Sequence, residues 1–263
     1  DLPNDDDRPF DGTVDLSLRW MEKVRHGDKP FFLNYCTSLV HGPVSARDRK
    51  RFEHYCKKLG IPMPTKLGST NKTRSGQKNP YYATMVDTTD WIVGKLVTYL
   101  EQTDDPRNPG HKLIENTYVI LSTDNGGCNS IPAKTEDGGV EHEQITDNAP
   151  LREGKQTLYE GGVRIPFIVR GPDVRPGSVS GAVVSLIDLY PTFMSMAGMQ
   201  LDPALKLDGC DLLPVLNEAN EANGAPRFTD GSKRESCISI TRSRSRWAVR
   251  FARGIGSYTG TPV

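Results

Sequence analysis

An α/β fold follows from three features of the sequence. Short, continuous apolar runs at 31–35, 117–121 and 165–170 lack the polar alternation of strands with one wet face. Longer stretches with helical periodicity lie between them. Clusters of Gly, Pro, Asn and Asp separate the two kinds of segment. Together they predict a sheet covered by helices on both faces.

The elements follow in order. Residues 12–25 set Val14, Leu16, Leu18 and Met21 among charges and predict a helix. Lys29-Pro30 punctuates, and 31–35 (FFLNY) predicts a buried strand. A charged helix is expected over 46–58, then a long surface loop over 59–79 containing Asn71-Lys72-Thr73, a glycosylation triplet. The longest periodic segment, 80–102, places Met85, Ile92, Leu96 and Tyr99 near helical spacing. A second buried strand at 117–121 ends in Asp124-Asn125-Gly126-Gly127. Residues 128–160 are polar and read as irregular. Strands are expected at 165–170 and 182–185, and Asp188 is placed to cap a helix through Ala197. Beyond about 222 only short strand-like pieces remain, at 238–240 and 247–249, so a division into 1–221 and 222–263 is expected.

Composition excludes several classes. Lys+Arg (33) balance Asp+Glu (33), which disfavours a surface built to track nucleic acid. No stretch approaches the roughly 18 uninterrupted apolar residues of a membrane span. The five cysteines show no CxxC pair or zinc spacing, and an odd number cannot complete a disulfide set within the chain, so buried free thiols are expected.

In doubly covered sheets, ligands collect beyond the carboxyl ends of strands, which directs attention to the loops after Tyr35 and Leu121. Asp124-Asn125 offers a carboxylate and an amide oxygen, ligand types that hard cations such as calcium take in sets of about 6–8. The same four residues are also good turn chemistry. His41 could protonate a leaving group, or be a solvated histidine. Lys155, in the polar loop Arg152-Glu153-Gly154-Lys155-Gln156-Thr157, could meet a sulfate or phosphate oxygen as a point charge, or be an ordinary surface lysine. A P-loop is excluded, because no G-x-x-x-x-G-K-[ST] occurs.

The order of five segments resembles the sulfatase family, most of all the arylsulfatases. They are Pro30-Phe31-Phe32-Leu33 with His41-Gly42-Pro43; Asn116-Thr117-Tyr118-Val119-Ile120 with Asp124-Asn125-Gly126-Gly127; Pro150-Leu151-Arg152 with Gly154-Lys155 and Leu158-Tyr159-Glu160-Gly161-Gly162-Val163-Arg164-Ile165-Pro166; Ile187-Asp188-Leu189-Tyr190-Pro191-Thr192; and Asp208-Gly209-Cys210-Asp211-Leu212-Leu213-Pro214-Val215-Leu216. The third is the most specific. The resemblance implies an alkaline-phosphatase-like mixed sheet with helices on both faces, incomplete here, as the core over 1–221. A small C-terminal antiparallel subdomain would begin in 222–263. It implies hydrolysis of a sulfated carbohydrate or aryl sulfate. Asp124 and Asn125 would be two ligands of one Ca²⁺, and His41 and Lys155 would contact the sulfate group and its ester oxygen, serving catalysis and binding. Export or a lysosomal location is also implied.

The family's nucleophile, a formylglycine made from Cys or Ser in [CS]-x-P-x-R, has no counterpart here. No cysteine begins that motif, and Ser130-Ile131-Pro132-Ala133-Lys134 ends in lysine and follows Asp124-Asn125. The early Asp-Asp metal ligands are missing as well, since Asp5-Asp6-Asp7 precedes no suitable strand. The expectation is that these parts lie upstream of Asp1, that the chain alone is inactive, and that a sheet without its early strands is poorly soluble. A phosphoester or phosphonate hydrolase on the same scaffold, and a non-catalytic fragment or sulfated-glycan-binding relative, are the alternatives.

Overall fold

A computed structural model describes residues 12–46, 48–64, 77–134, 140–172, 174–202, 204–217, 236–242, 247–253 and 257–258. In chain order the elements are α1 (Thr13–Val24), α2 (Arg49–Lys58), α3 (Pro80–Gln102), β1 (Val119–Ser122), β2 (Ser130–Lys134), β3 (Val140–Gln144), α4 (Glu160–Val163), β4 (Phe167–Arg170), α5 (Leu189–Met196), α6 (Leu213–Asn217), β5 (Ser236–Arg242), β6 (Trp247–Arg253) and β7 (Ser257–Tyr258). They fall into two compact units. One comprises 1–117 with 127–148, the other 118–126 with 149–263.

In the first unit, helices form close to the three expected ranges, α2 starting at Arg49 rather than 46, and the starts of α2 and α3 are chemically specified. Asp48 accepts from the Arg51 N–H at 2.7 Å, capping α2. Asn79 accepts from the Tyr81 and Tyr82 N–H groups at 3.0 and 3.2 Å, and Pro80 fills the first helical position of α3. Phe52 and Cys56, one turn apart on α2, face Tyr81 and Met85 of α3. With Val44, Ala46 and Ile145 they make the core cluster, where the Phe52 and Tyr81 rings lie 4.4 Å apart. Thr84 and Thr88 are fully buried, and each hydroxyl donates to the carbonyl four residues back at 2.8 Å. Between the helices, Arg51 and Tyr55 both donate to Asp87, at 2.7 and 2.9 Å. Helix α1 buries Val14 and Met21. Its Glu22 accepts from Arg25 and from the Tyr99 hydroxyl of α3 at 2.7 Å.

In the second unit, β1 and β4 pair antiparallel, with Leu121 opposite Ile168. Asp188, fully buried, accepts from the Ser185 N–H at 2.7 Å and the Cys210 N–H at 2.8 Å. Thr192 on α5 donates to the Asp188 carbonyl and accepts from the Leu212 N–H. These bonds tie α5 to the segment leading into α6. The last three strands form an antiparallel sheet in the order β5-β6-β7.

Several expectations need correction. Residues 31–35 form no strand. Their burial alternates with period two and Phe32 is 64% exposed, so the run is not buried either. Apolar composition favours burial, but a strand also needs a neighbouring backbone to pair with. Residues 182–185 likewise form no strand. β1 and β4 are half-buried rather than buried. Asp188 stands before α5, but its side chain caps the preceding 3₁₀ turn instead. Residues 128–160, read as irregular, contain the β2–β3 pair, and α4 begins at their last residue. Among the thiols, Cys56 and Cys210 are buried, whereas Cys36 is exposed and Cys128 is half-buried. The Asn71 triplet and Asp5–Asp7 lie outside the described residues.

Candidate active site

His41 sits on a loop of the first unit. Leu39 and Val40 before it pack against the core cluster, and Val44 after it belongs to that cluster. The chain is therefore anchored on both sides while His41 itself is exposed. Its Nδ1 lies 2.9 Å from the Gly42 carbonyl. With Nδ1–H donating there, Nε2 is the ring nitrogen left for a ligand.

The other three candidates belong to the second unit, on two loops joined through α4. The Gly126 N–H donates to the Gly162 carbonyl at 3.0 Å, and the Gly161 N–H donates to the Arg152 carbonyl at 2.9 Å. These contacts require glycine. A Cβ on Gly126 would strike the Gly161 carbonyl oxygen and lie 2.7 Å from its carbon. One on Gly161 would strike the Glu153 carbonyl and lie 2.7 Å from the Arg152 oxygen. The loop bearing Asp124 and Asn125 and the loop bearing Lys155 are thus clamped to the same short helix by backbone alone.

Asp124 is exposed, and among the described residues its carboxylate takes part in no hydrogen bond or ion pair. Asn125 is half-buried and turns its Nδ2 toward the Gly126 carbonyl at 3.3 Å, which leaves Oδ1 to accept. The pair therefore suits a hard cation in donor chemistry, supplying two of the roughly 6–8 oxygens calcium takes. No group of three or more His, Cys, Asp and Glu suited to a metal occurs among the described residues. Lys155 is half-buried, and among the described residues its ammonium has no partner. Nearby, the Arg152 guanidinium stacks 3.9 Å from the Tyr159 ring centroid.

A sulfatase family model matches residues 11–199. The chain belongs to the sulfatase family. Similar curated proteins include a sulfatase of Formosa agariphila, 31% identical over 215 residues, covering 80% of this chain and 34% of that protein. The N-acetylgalactosamine-6-sulfatase of Canis lupus familiaris is 30% identical over 201 residues, covering 76% of this chain and 31% of that protein. Arylsulfatase K of Xenopus laevis is 30% identical over 149 residues, 57% of this chain and 23% of that protein. The chain spans about a third or less of the length of these relatives. Membership implies an α/β, alkaline-phosphatase-like fold for this sulfatase chain. No helix among the described residues is long and apolar enough to cross a membrane.

The glycine clamp was missed from sequence. Gly126-Gly127 read as a turn and Gly161-Gly162 as part of a motif. Their pairing in space follows from close backbone approach, and only the doubled glycines hinted at it.

Proposed function

We propose that this sulfatase chain carries part of a sulfuric ester hydrolase site, with Asp124 and Asn125 as ligands of one divalent cation, Ca²⁺, and Lys155 and His41 as contacts to the sulfate and its ester oxygen. The observation that supports it best is the clamping of the Asp124–Asn125 and Lys155 loops to one helix, in a chain of this family. A bound cation would draw charge from the sulfuryl oxygens. Lys155 would do the same from its own side, and His41 Nε2, once protonated, would donate to the departing alcohol oxygen. The substrate class is a sulfated carbohydrate or aryl sulfate, and the location exported or lysosomal. The domain division at 221/222 and the mixed sheet with helices on both faces belong to the same proposal. The antiparallel β5–β7 sheet supports a C-terminal subdomain.

The residues do not supply the formylglycine. No [CS]-x-P-x-R occurs in the 263 residues, so no covalent step is assigned to them. Calorimetric titration of this chain with calcium, then with inorganic sulfate, tests the proposal. Asp124→Ala should abolish calcium binding and Lys155→Ala should weaken sulfate. Binding of neither ion, or binding that survives both changes, would contradict it; phosphate bound in clear preference to sulfate would favour the phosphoester alternative.

A further inference from the structure

We infer that Thr157 is a positioning residue that fixes the direction in which Lys155 is presented. The inference rests on Lys155 being an anion contact and concerns what makes that contact possible. Residues 154–157 form a tight turn. The Thr157 N–H donates to the Gly154 carbonyl at 3.1 Å, and the Thr157 hydroxyl donates to the same oxygen at 2.7 Å. Lys155 occupies the second position and Gln156 the third, with φ of 72°. A positive φ at the third position alone is the signature of a type II turn, which ordinarily wants glycine there. Glu153, just before the turn, also has positive φ, at 60°. A segment with two non-glycine residues in the left-handed region persists only when its surroundings hold it there.

Two features do so. One is the pair of donors from Thr157 onto a single carbonyl. The other is helix α4, packed so closely that a Cβ on Gly162 would lie 2.5 Å from the Gly154 oxygen and 2.8 Å from Thr157 Oγ1. The threonine hydroxyl thus sits between the helix and the turn that carries Lys155. This matters because a lysine has a long flexible stem and a point charge, without the preorganised fork of arginine. Its ammonium meets an anion at one place only if the Cα–Cβ direction is set by the backbone. Among the described residues no partner holds that ammonium, so the turn is what aims it.

The test is a titration of the 263-residue chain with inorganic sulfate at constant calcium, followed by the amide NMR signals of Gly154 and Gly162. Thr157→Val keeps the shape and loses the donor; Thr157→Ser keeps the donor. Thr157→Val should weaken sulfate about five- to tenfold, the worth of one hydrogen bond. Thr157→Ser should stay within about twofold, and Lys155→Ala should lose the response. Should Thr157→Val not fold, Thr157→Ala replaces it with the same expectation. No response in the parent chain, or one unchanged by Lys155→Ala, defeats the anion-contact proposal and this inference with it. A response lost in Lys155→Ala but unchanged in the donor-less variant overturns this inference alone. So does a Thr157→Ser variant as weak as Thr157→Val.

Discussion

Gly161→Ala should loosen the clamp between the two loops of the second unit. The added Cβ would strike the Glu153 carbonyl and lie 2.7 Å from the Arg152 oxygen, where ordinary contact is above 3.4 Å. Both obstacles are backbone, so α4 or the 152–154 segment must move. Overpacking of this kind costs about 1–3 kcal/mol. The shift also stretches the 2.9 Å bond from the Gly161 N–H to the Arg152 carbonyl, worth about 1 kcal/mol. Helix propensity returns somewhat less than 1 kcal/mol. The net is about 1–3 kcal/mol of local destabilisation. Amide exchange at Gly126, whose N–H bonds to Gly162, should then quicken roughly five- to 150-fold. Gly94→Ala, on α3 with open space around it, is the control and should stabilise by up to about 1 kcal/mol. Unchanged exchange at Gly126 in Gly161→Ala, or equal destabilisation by both alanines, would refute the steric reasoning.

Other outcomes follow from the same geometry. Glu22 is held down at about 2 by hydrogen bonds from Arg25 and Tyr99, so its contribution is present above its ordinary pKa near 4.5 and is lost as pH falls toward 2. Burial and the bond to Glu22 push Tyr99 up to about 12, so its contribution is present below 10 and lost as pH rises toward 12; Tyr99→Phe should flatten the alkaline limb of a stability–pH curve. Asn79→Ala removes the cap on the Tyr81 and Tyr82 N–H groups and should cost about 1–2 kcal/mol by urea unfolding. Leu121 and Ile168, an opposed pair 37% and 59% exposed, can both become threonine, which should raise the soluble fraction on expression. The chain by itself should release no alcohol from an aryl sulfate, since it carries no formylglycine motif.

The helices were legible because their signals are local. Val14 and Met21 keep helical spacing, and Asp48 and Asn79-Pro80 mark starts by chemistry within three residues. Strands were less so, because pairing depends on residues far away. The apolar run 31–35 forms no strand among the described residues, while the charged segment 140–144 pairs with β2. Asp188 shows the same limit. Its short-range target, the Ser185 N–H, is three residues away, but the Cys210 N–H is 22 away. The proposed site residues Asp124, Asn125, His41 and Lys155 were nominated by resemblance and weakly by their own chemistry. What joins the first two to Lys155, glycine backbone in close approach, has no local pattern beyond the doubled glycines.

The most direct measurement is a crystal structure of the chain grown with calcium and inorganic sulfate. The proposed site should show a cation about 2.3–2.6 Å from the oxygens of Asp124 and Asn125, with a sulfate beside it that Lys155 Nζ also touches. Sulfate bound away from Lys155, or a cation that avoids Asp124, would contradict it.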